Sequence, residues 1–297
     1  MGTGWTRREL MRGSAVALFA GFMGPWGISR RARAAERFRA VHLSDFHWGY
    51  RGPWNRHPEA SLRAVLERVR GLSPRPDLML VTGDLIQATP ESSQRRERFQ
   101  QVKSLLDSLA IPWVAVPGEH DTFGDGGAMF EELIGPRYYH RTVGPIHIFG
   151  LDNVSRGPLL EPRQVSWFRR EIQALSRDSI ILVLTHAPLF SLFIPWNWYT
   201  YNGTAIYHIM RPYAAKQFLF GHIHQACDRE YEGMNRSGLP TAWPLPEPGP
   251  LVRLEPWPQG ATHPEMGLGF RVLDWQGGRF EEPLVYLEPP VVQEVTP

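Results

Sequence analysis

Five times in this chain an apolar run stops abruptly in an acid or a histidine, and no other pattern restricts the fold as much. The runs end at Asp45-Phe46-His47, Gly83-Asp84, Gly118-Glu119-His120-Asp121, His186 and Gly221-His222-Ile223-His224. Val41-His42-Leu43 reads as a short buried strand that leads straight into the first of them. Side chains at i and i+2 of a strand share a face. Asp45 and His47 are therefore expected to point at one spot just past the strand's carboxyl end. Hard oxygens and imidazoles together suit a first-row transition metal better than calcium or magnesium. The 297 residues include one cysteine, Cys227. No intrachain disulfide and no cysteine-based zinc site can form, so any metal must be held by histidine and carboxylate.

From residue 37 onward, strand and helix patterns alternate. Strands are predicted over 37–44, 77–82, 111–116, 180–185 and 217–220, and helices over 58–71, 94–109, 161–175 and 205–213. In the first helix Leu62, Val65, Leu66 and Val69 fall on one face, and Gly71 closes it. In the second, Phe99, Val102, Leu105, Leu106 and Leu109 do the same. Such alternation implies an α/β fold with parallel strands covered by helices. Ligands of these sheets sit beyond the carboxyl ends of the strands, where Asp45, Asp84 and Glu119 lie. Residues 138–152 predict an antiparallel hairpin turning at Gly144-Pro145, and 270–275 with 279–286 a closing hairpin about Gly277-Gly278.

Two stretches break the alternation. Residues 189–201 carry Phe190, Phe193, Trp196, Trp198, Tyr199 and Tyr201. This aromatic loop reads either as a satellite hydrophobic cluster or as a wall of a substrate cleft. Exposed, it would suit a nucleoside base or a membrane surface. Residues 239–264 hold eight prolines and read as an extended wrapping segment.

The formal charge of +2 is carried by the N-terminus, because the first 34 residues hold six arginines and one glutamate. The mildly acidic remainder gives no electrostatic case for nucleic-acid binding. Thr6-Arg7-Arg8-Glu9-Leu10-Met11 resembles the twin-arginine consensus. A short Gly-containing apolar run and an Ala32-Arg33-Ala34 cleavage pattern follow it. Residues 1–35 are thus expected to be a signal peptide read by the twin-arginine export machinery, with the mature chain periplasmic or secreted. Residues 36–236 would form the catalytic domain, and 237–297 would complete it as a wrapping segment and hairpin.

Taken together and in order, the five motifs resemble those of the calcineurin-like metallophosphoesterases, over about 37–227. The resemblance implies a four-layer α/β/β/α sandwich with mixed sheets and a centre of two transition-metal ions (Mn, Fe or Zn). By motif position one metal would take Asp45, His47 and His224, the other Glu119, His186 and His222, and Asp84 would bridge them. His120 would lie beside the phosphate, either stabilising developing charge or protonating the leaving oxygen. The chain departs from the family's G-N-H-[DE] motif at Glu119, where Asn is usual. An ionised Glu119 adds a third negative charge to Asp45 and Asp84. That tightens metal binding, blunts Lewis acidity and favours a harder metal such as iron.

Gly135-Pro136-Arg137-Tyr138-Tyr139 and Leu151-Asp152-Asn153 are similar to the bacterial cyclic-nucleotide phosphodiesterase-like branch. A small phosphodiester is therefore the expected substrate, ahead of a monoester. A purple acid phosphatase is disfavoured, because Gln87 stands where that family has a ligand tyrosine. A Ser/Thr protein phosphatase is disfavoured, because Gly83-Asp84 is not followed by V-D-R-G. The alternative is a non-catalytic binding protein on the same scaffold, against which the retention of His120 argues.

Overall fold

The computed structural model describes residues 37–287 except 53–54, 56, 192–197, 225–227, 239–267, 277–278 and 282. The predicted signal segment, the proline-rich segment, Cys227 and the turn at Gly277-Gly278 lie outside the described residues.

Alternating burial sets the layers. In β1 (Phe38–Leu43), Phe38 and Ala40 enter one apolar cluster, and Val41 and Leu43 another. β2 (Leu78–Val81) divides the same way, with Leu78 and Leu80 opposite Met79 and Val81. β1 pairs in parallel with β2, and β2 with β3 (Trp113–Ala115). On its other side β1 pairs antiparallel with β10 (Gly269–Gln276), which carries β11 (Arg279–Glu281) and β12 (Leu284–Tyr286). The second sheet runs in the order β4 (Tyr139–Val143), β5 (Ile146–Gly150), β6 (Ile180–Leu184), β7 (Lys216–Phe220), β9 (Met234–Ser237), β8 (Asp228–Glu230). β5, β6, β7 and β9 are parallel; β4 and β8 are antiparallel edges.

Each sheet turns one face to helices and the other to its partner sheet. Val41, Leu43, Met79 and Val81 pack under α1 (Pro58–Arg70) and α2 (Ser92–Asp107). Ile181, Val183, Phe218 and Phe220 pack under α4 (Pro162–Gln173) and α5 (Thr204–Met210). Between the sheets Ala40, Leu80, Ile148, Leu182 and Leu219 form the third cluster. The result is the expected α/β/β/α sandwich. α1 shows why its sequence is helical. Pro58 opens it, where a missing N–H costs nothing, and Leu62, Val65, Leu66 and Val69 are all buried. Burying each such side chain contributes about 1.5–3 kcal/mol.

The elements differ from expectation at their ends and in three short pieces. α3 (Ala128–Leu133) was not predicted, and neither was the β8–β9 pair. Gly71 closes α1 with its N–H on the Glu67 carbonyl, but in right-handed conformation, so no glycine freedom is used there.

Candidate metal centre

The carboxyl ends of β1, β2, β3, β6 and β7 all open on one rim, and every predicted site residue lies there. The expectation that strand alternation aligns Asp45 with His47 is incorrect. β1 ends at Leu43, and both residues have left-handed backbone, φ 56° and 43°. What holds them is pairing to the next loop: Asp45 N–H donates to Gly83 O at 3.0 Å, and His47 N–H to Asp84 O at 2.9 Å. Asp84, His222 and His224 are left-handed too, so candidate ligands supply five of the seven non-glycine residues with positive φ among those described. Such conformations cost about 1–3 kcal/mol each and concentrate at functional sites. Two glycines make the crowding possible. A Cβ on Gly83, itself at φ 92°, would lie 2.5 Å from His186 Nδ1, and one on Gly118 would lie 2.1 Å from Asp84 Oδ1.

The side chains gather into three overlapping groups whose potential ligand atoms lie within 4.8 Å of one another: Asp45, His47, Asp84 and His224; Glu119, His186 and His222; and Asp84, Glu119 and His120. Asp84 joins them. Its Oδ2 lies 3.4 Å from His47 Nε2 and 3.5 Å from His186 Nε2. In the first group His47 Nε2 and His224 Nε2 are 3.0 Å apart, and His224 Nε2 is 3.4 Å from Asp45 Oδ1. In the second, Glu119 spans the histidines, with Oε2 2.8 Å from His186 Nε2 and Oε1 2.9 Å from His222 Nδ1. The stem of Glu119 is open to the cleft, whereas Oε2 is buried. His120 sits across His47, ring centroids 4.8 Å apart, and its backbone N–H donates to Asp84 Oδ1 at 3.0 Å.

These residues fit cations. Asp45 Oδ2, Asp84 Oδ2, Glu119 Oε2 and His186 Nε2 are buried and make no hydrogen bond. The His186 ring explains why. Its Nδ1 lies 2.6 Å from the Thr82 carbonyl, which can only accept, so Nδ1 carries the hydrogen and a neutral ring presents the Nε2 lone pair to Asp84 and Glu119. A lone pair facing two carboxylates is stable only with a positive charge between them. In the bare protein a proton supplies it. Burial opposes the charge, but Asp84 and Glu119 outweigh burial and raise the His186 pKa well above its ordinary value. Burial also disfavours charge on Glu119, yet His222 and His186 hold its carboxyl well below the usual range. His47 differs: burial dominates and lowers its pKa, so its ring is neutral and ready to donate a lone pair.

Supporting groups frame the rim. Asp121 accepts the N–H groups of Leu85, Ile86 and Gly118 at 2.9–3.1 Å, tying the loops after β2 and β3 together. Burial and nearby Asp84 push its pKa up to about 8. Asn153 accepts the His186 N–H and donates to Ala187 O and Thr200 Oγ1, while Asp152 caps a turn and pairs with Arg137. Adjacent residues thus divide the work, Asn153 bracing the His186 loop and Asp152 capping a turn. The aromatic loop also divides. Phe190 is buried against Phe220, whereas Trp198 lies 5.7 Å from the His222 ring at the edge of the centre. His42 is wholly buried on Thr82 Oγ1, its pKa lowered to about 3 by burial and Arg271, and belongs to the core. Sequence reading assigned Gln87 no role, yet it touches both His47 and His120. Its position three residues after Asp84 was the available signal.

A calcineurin-like phosphoesterase family model matches residues 38–226. The chain belongs to that family. As a calcineurin-like phosphoesterase it is a phosphoric ester hydrolase with a candidate metal-ligand cluster at the rim. It is similar to a 3',5'-cyclic-nucleotide phosphodiesterase of Nostoc sp., 27% identical over 61% of this chain and 68% of that one. It is also similar to the 3',5'-cyclic adenosine monophosphate phosphodiesterase of Pseudomonas aeruginosa, 27% identical over 72% and 75%. Among solved structures, a purple acid phosphatase from yellow lupin superposes with a TM-score of 0.65 over 87% of this chain and 53% of that one. At 11% identity that likeness concerns the fold alone.

Proposed function

We propose that this phosphoesterase is an exported phosphodiesterase that works with two transition-metal ions, of the manganese, iron or zinc type. The observation that carries this reading is Asp84, whose buried Oδ2 has no hydrogen-bond partner and faces both histidine groups at nearly equal distance. Asp45, His47 and His224 would hold one ion, Glu119, His186 and His222 the other, and Asp84 both. Two such ions clamp phosphoryl oxygens and supply hydroxide near neutral pH by acidifying water. The chain's own part is to fix these ligands in strained backbone, present the His120 ring to the phosphoryl group, and wall the open side with Trp198.

Diesters are favoured over monoesters by the two cyclic-nucleotide phosphodiesterase relatives and by a third, a probable glycerophosphodiester phosphodiesterase of Arcobacter nitrofigilis, 25% identical over 50% of this chain and 57% of that one. Export is supported by Arg7-Arg8 and Ala32-Arg33-Ala34. Metal content per chain, measured with turnover of bis-p-nitrophenyl phosphate, tests the reading. Two metals and turnover support it. Metal without turnover points to a binding protein instead.

A further inference from the structure

The Gly135-Pro136-Arg137-Tyr138-Tyr139 stretch takes no part in the metal centre, yet it borders a cavity of about 280 Å³. The edge strands of the two sheets, β3 and β4, both contribute to its walls. Trp113, Val114 and Ala115 all line it. Side chains of consecutive strand residues point to opposite faces, so a cavity that touches all three lies off the free edge of β3. The main chain of that edge is turned toward it. Met79 N–H donates to Pro112 O, and Val116 N–H donates to Val81 O. Main-chain groups of a parallel strand alternate in direction. Val114 therefore also faces β2, while Trp113 and Ala115 present their N–H and C=O groups outward. From β4 come Tyr139 and Arg141, two residues apart and on one face. Gly150 makes the room, because a Cβ there would collide with the Tyr139 ring.

The lining is short of one anion. Lys103 is answered by Asp107 at 2.7 Å, which also takes the Trp113 indole N–H at 2.8 Å. Arg141 makes no ion pair among the described residues, so the walls carry one net positive charge. The Tyr139 hydroxyl is buried and has no hydrogen-bond partner, a cost that an entering acceptor removes. Burial raises its pKa, so it stays a donor. Trp113, Ile134 and Pro136 supply apolar surface. None of the candidate metal ligands lines the cavity, so its occupant is not the ester held at the metal centre. We propose that this cavity binds a small carboxylate with a flat apolar body, the carboxylate met by Arg141, Tyr139 and the Ala115 N–H, and the body laid against Trp113. The planar guanidinium of Arg141 suits a carboxylate, which it can hold through two parallel bonds. A phosphate monoester carries a second charge that these walls do not balance.

The test is a titration of the full metal-loaded chain with benzoate, followed by nitrogen-15 NMR at the Trp113 indole N–H. That resonance is the one of eleven tryptophans that Trp113→Phe removes. Benzoate should move it saturably, and with the same affinity after the metal has been stripped. Benzamide keeps the shape without the charge, and inorganic phosphate keeps a charge without the body; each should bind at least tenfold more weakly. Arg141 is exposed, so Arg141→Met should fold as wild type and weaken benzoate about tenfold, near the worth of one charge-assisted hydrogen bond. Tyr139→Phe keeps the ring and should weaken it roughly fivefold, near that of a neutral one. A Trp113 resonance that benzoate does not move overturns the proposal. So does equal affinity for benzamide, unchanged affinity in Arg141→Met, or binding that disappears with the metal, which would put the carboxylate in the metal centre instead.

Discussion

Glu119 is the residue at which this chain leaves its family's motif, and its carboxylate reaches the place a ligand would occupy. Its two oxygens lie 2.8 and 2.9 Å from nitrogens of His186 and His222. Swinging it into solvent would give up an attraction of several kcal/mol at intermediate dielectric. Glu119→Asn should therefore bind the second metal more weakly, and activity should need more added metal. At saturating metal the acidic limb of the pH–rate profile should move to lower pH, because less anionic charge surrounds the cations and water loses its proton more readily. Unchanged metal affinity would count against ligation. Asp84 and His120 should separate cleanly: Asp84→Ala should lose metal, while His120→Ala keeps metal and loses roughly 10²–10³-fold in rate. Equal metal loss in both, measured by elemental analysis, would contradict that division. The candidate ligands could be picked out in the sequence because residue type alone carries coordination chemistry. Gln87 could not, because its contacts with His47 and His120 exist only once the loop after β2 is folded.

At the scale of elements, the loop after β6 does two jobs. Its first residues are core: Phe190 packs against Phe220. Its base is stapled by Thr200 N–H on Pro188 O at 2.8 Å and by Asn153, which bonds Ala187 and Thr200. Trp198 is thereby held beside His222. Stacking one base on an aromatic side chain is worth about 1–3 kcal/mol. Trp198→Ala should raise KM roughly tenfold for nucleoside or aryl diesters and hardly at all for dialkyl ones; an equal effect on both classes would return Trp198 to a packing role. The strands and long helices were legible because their apolar positions repeat with periods of two and 3.6. α3 has six residues, too few to show a period, and the β8 strand Asp-Arg-Glu has no apolar alternation. Asp45 and His47 come together for a reason that periodicity does not contain: left-handed backbone paired to the loop after β2.

At the scale of the molecule, two sheets from distant parts of the chain complete one centre. β1, β2 and β3 bring Asp45, His47, Asp84, Glu119 and His120; β6 and β7 bring His186, His222 and His224. Leu80, Leu182 and Leu219 lie in the layer between the sheets, so the candidate ligand groups stand on the packed interior. Any change that loosens that layer should cost metal affinity together with stability. Export belongs to this scale as well. Replacing Arg7 and Arg8 by lysine should trap the precursor in the cytoplasm, and cell fractionation checks it; unchanged export in a strain lacking the twin-arginine machinery would contradict the assignment. Under the proposed function both groups hold metal and diester hydrolysis needs both. The direct measurement is turnover of bis-p-nitrophenyl phosphate by metal-stripped protein as manganese is added back. Activity should rise until two ions are bound per chain and then level. Full activity with one ion bound, or metal uptake without turnover, would contradict it.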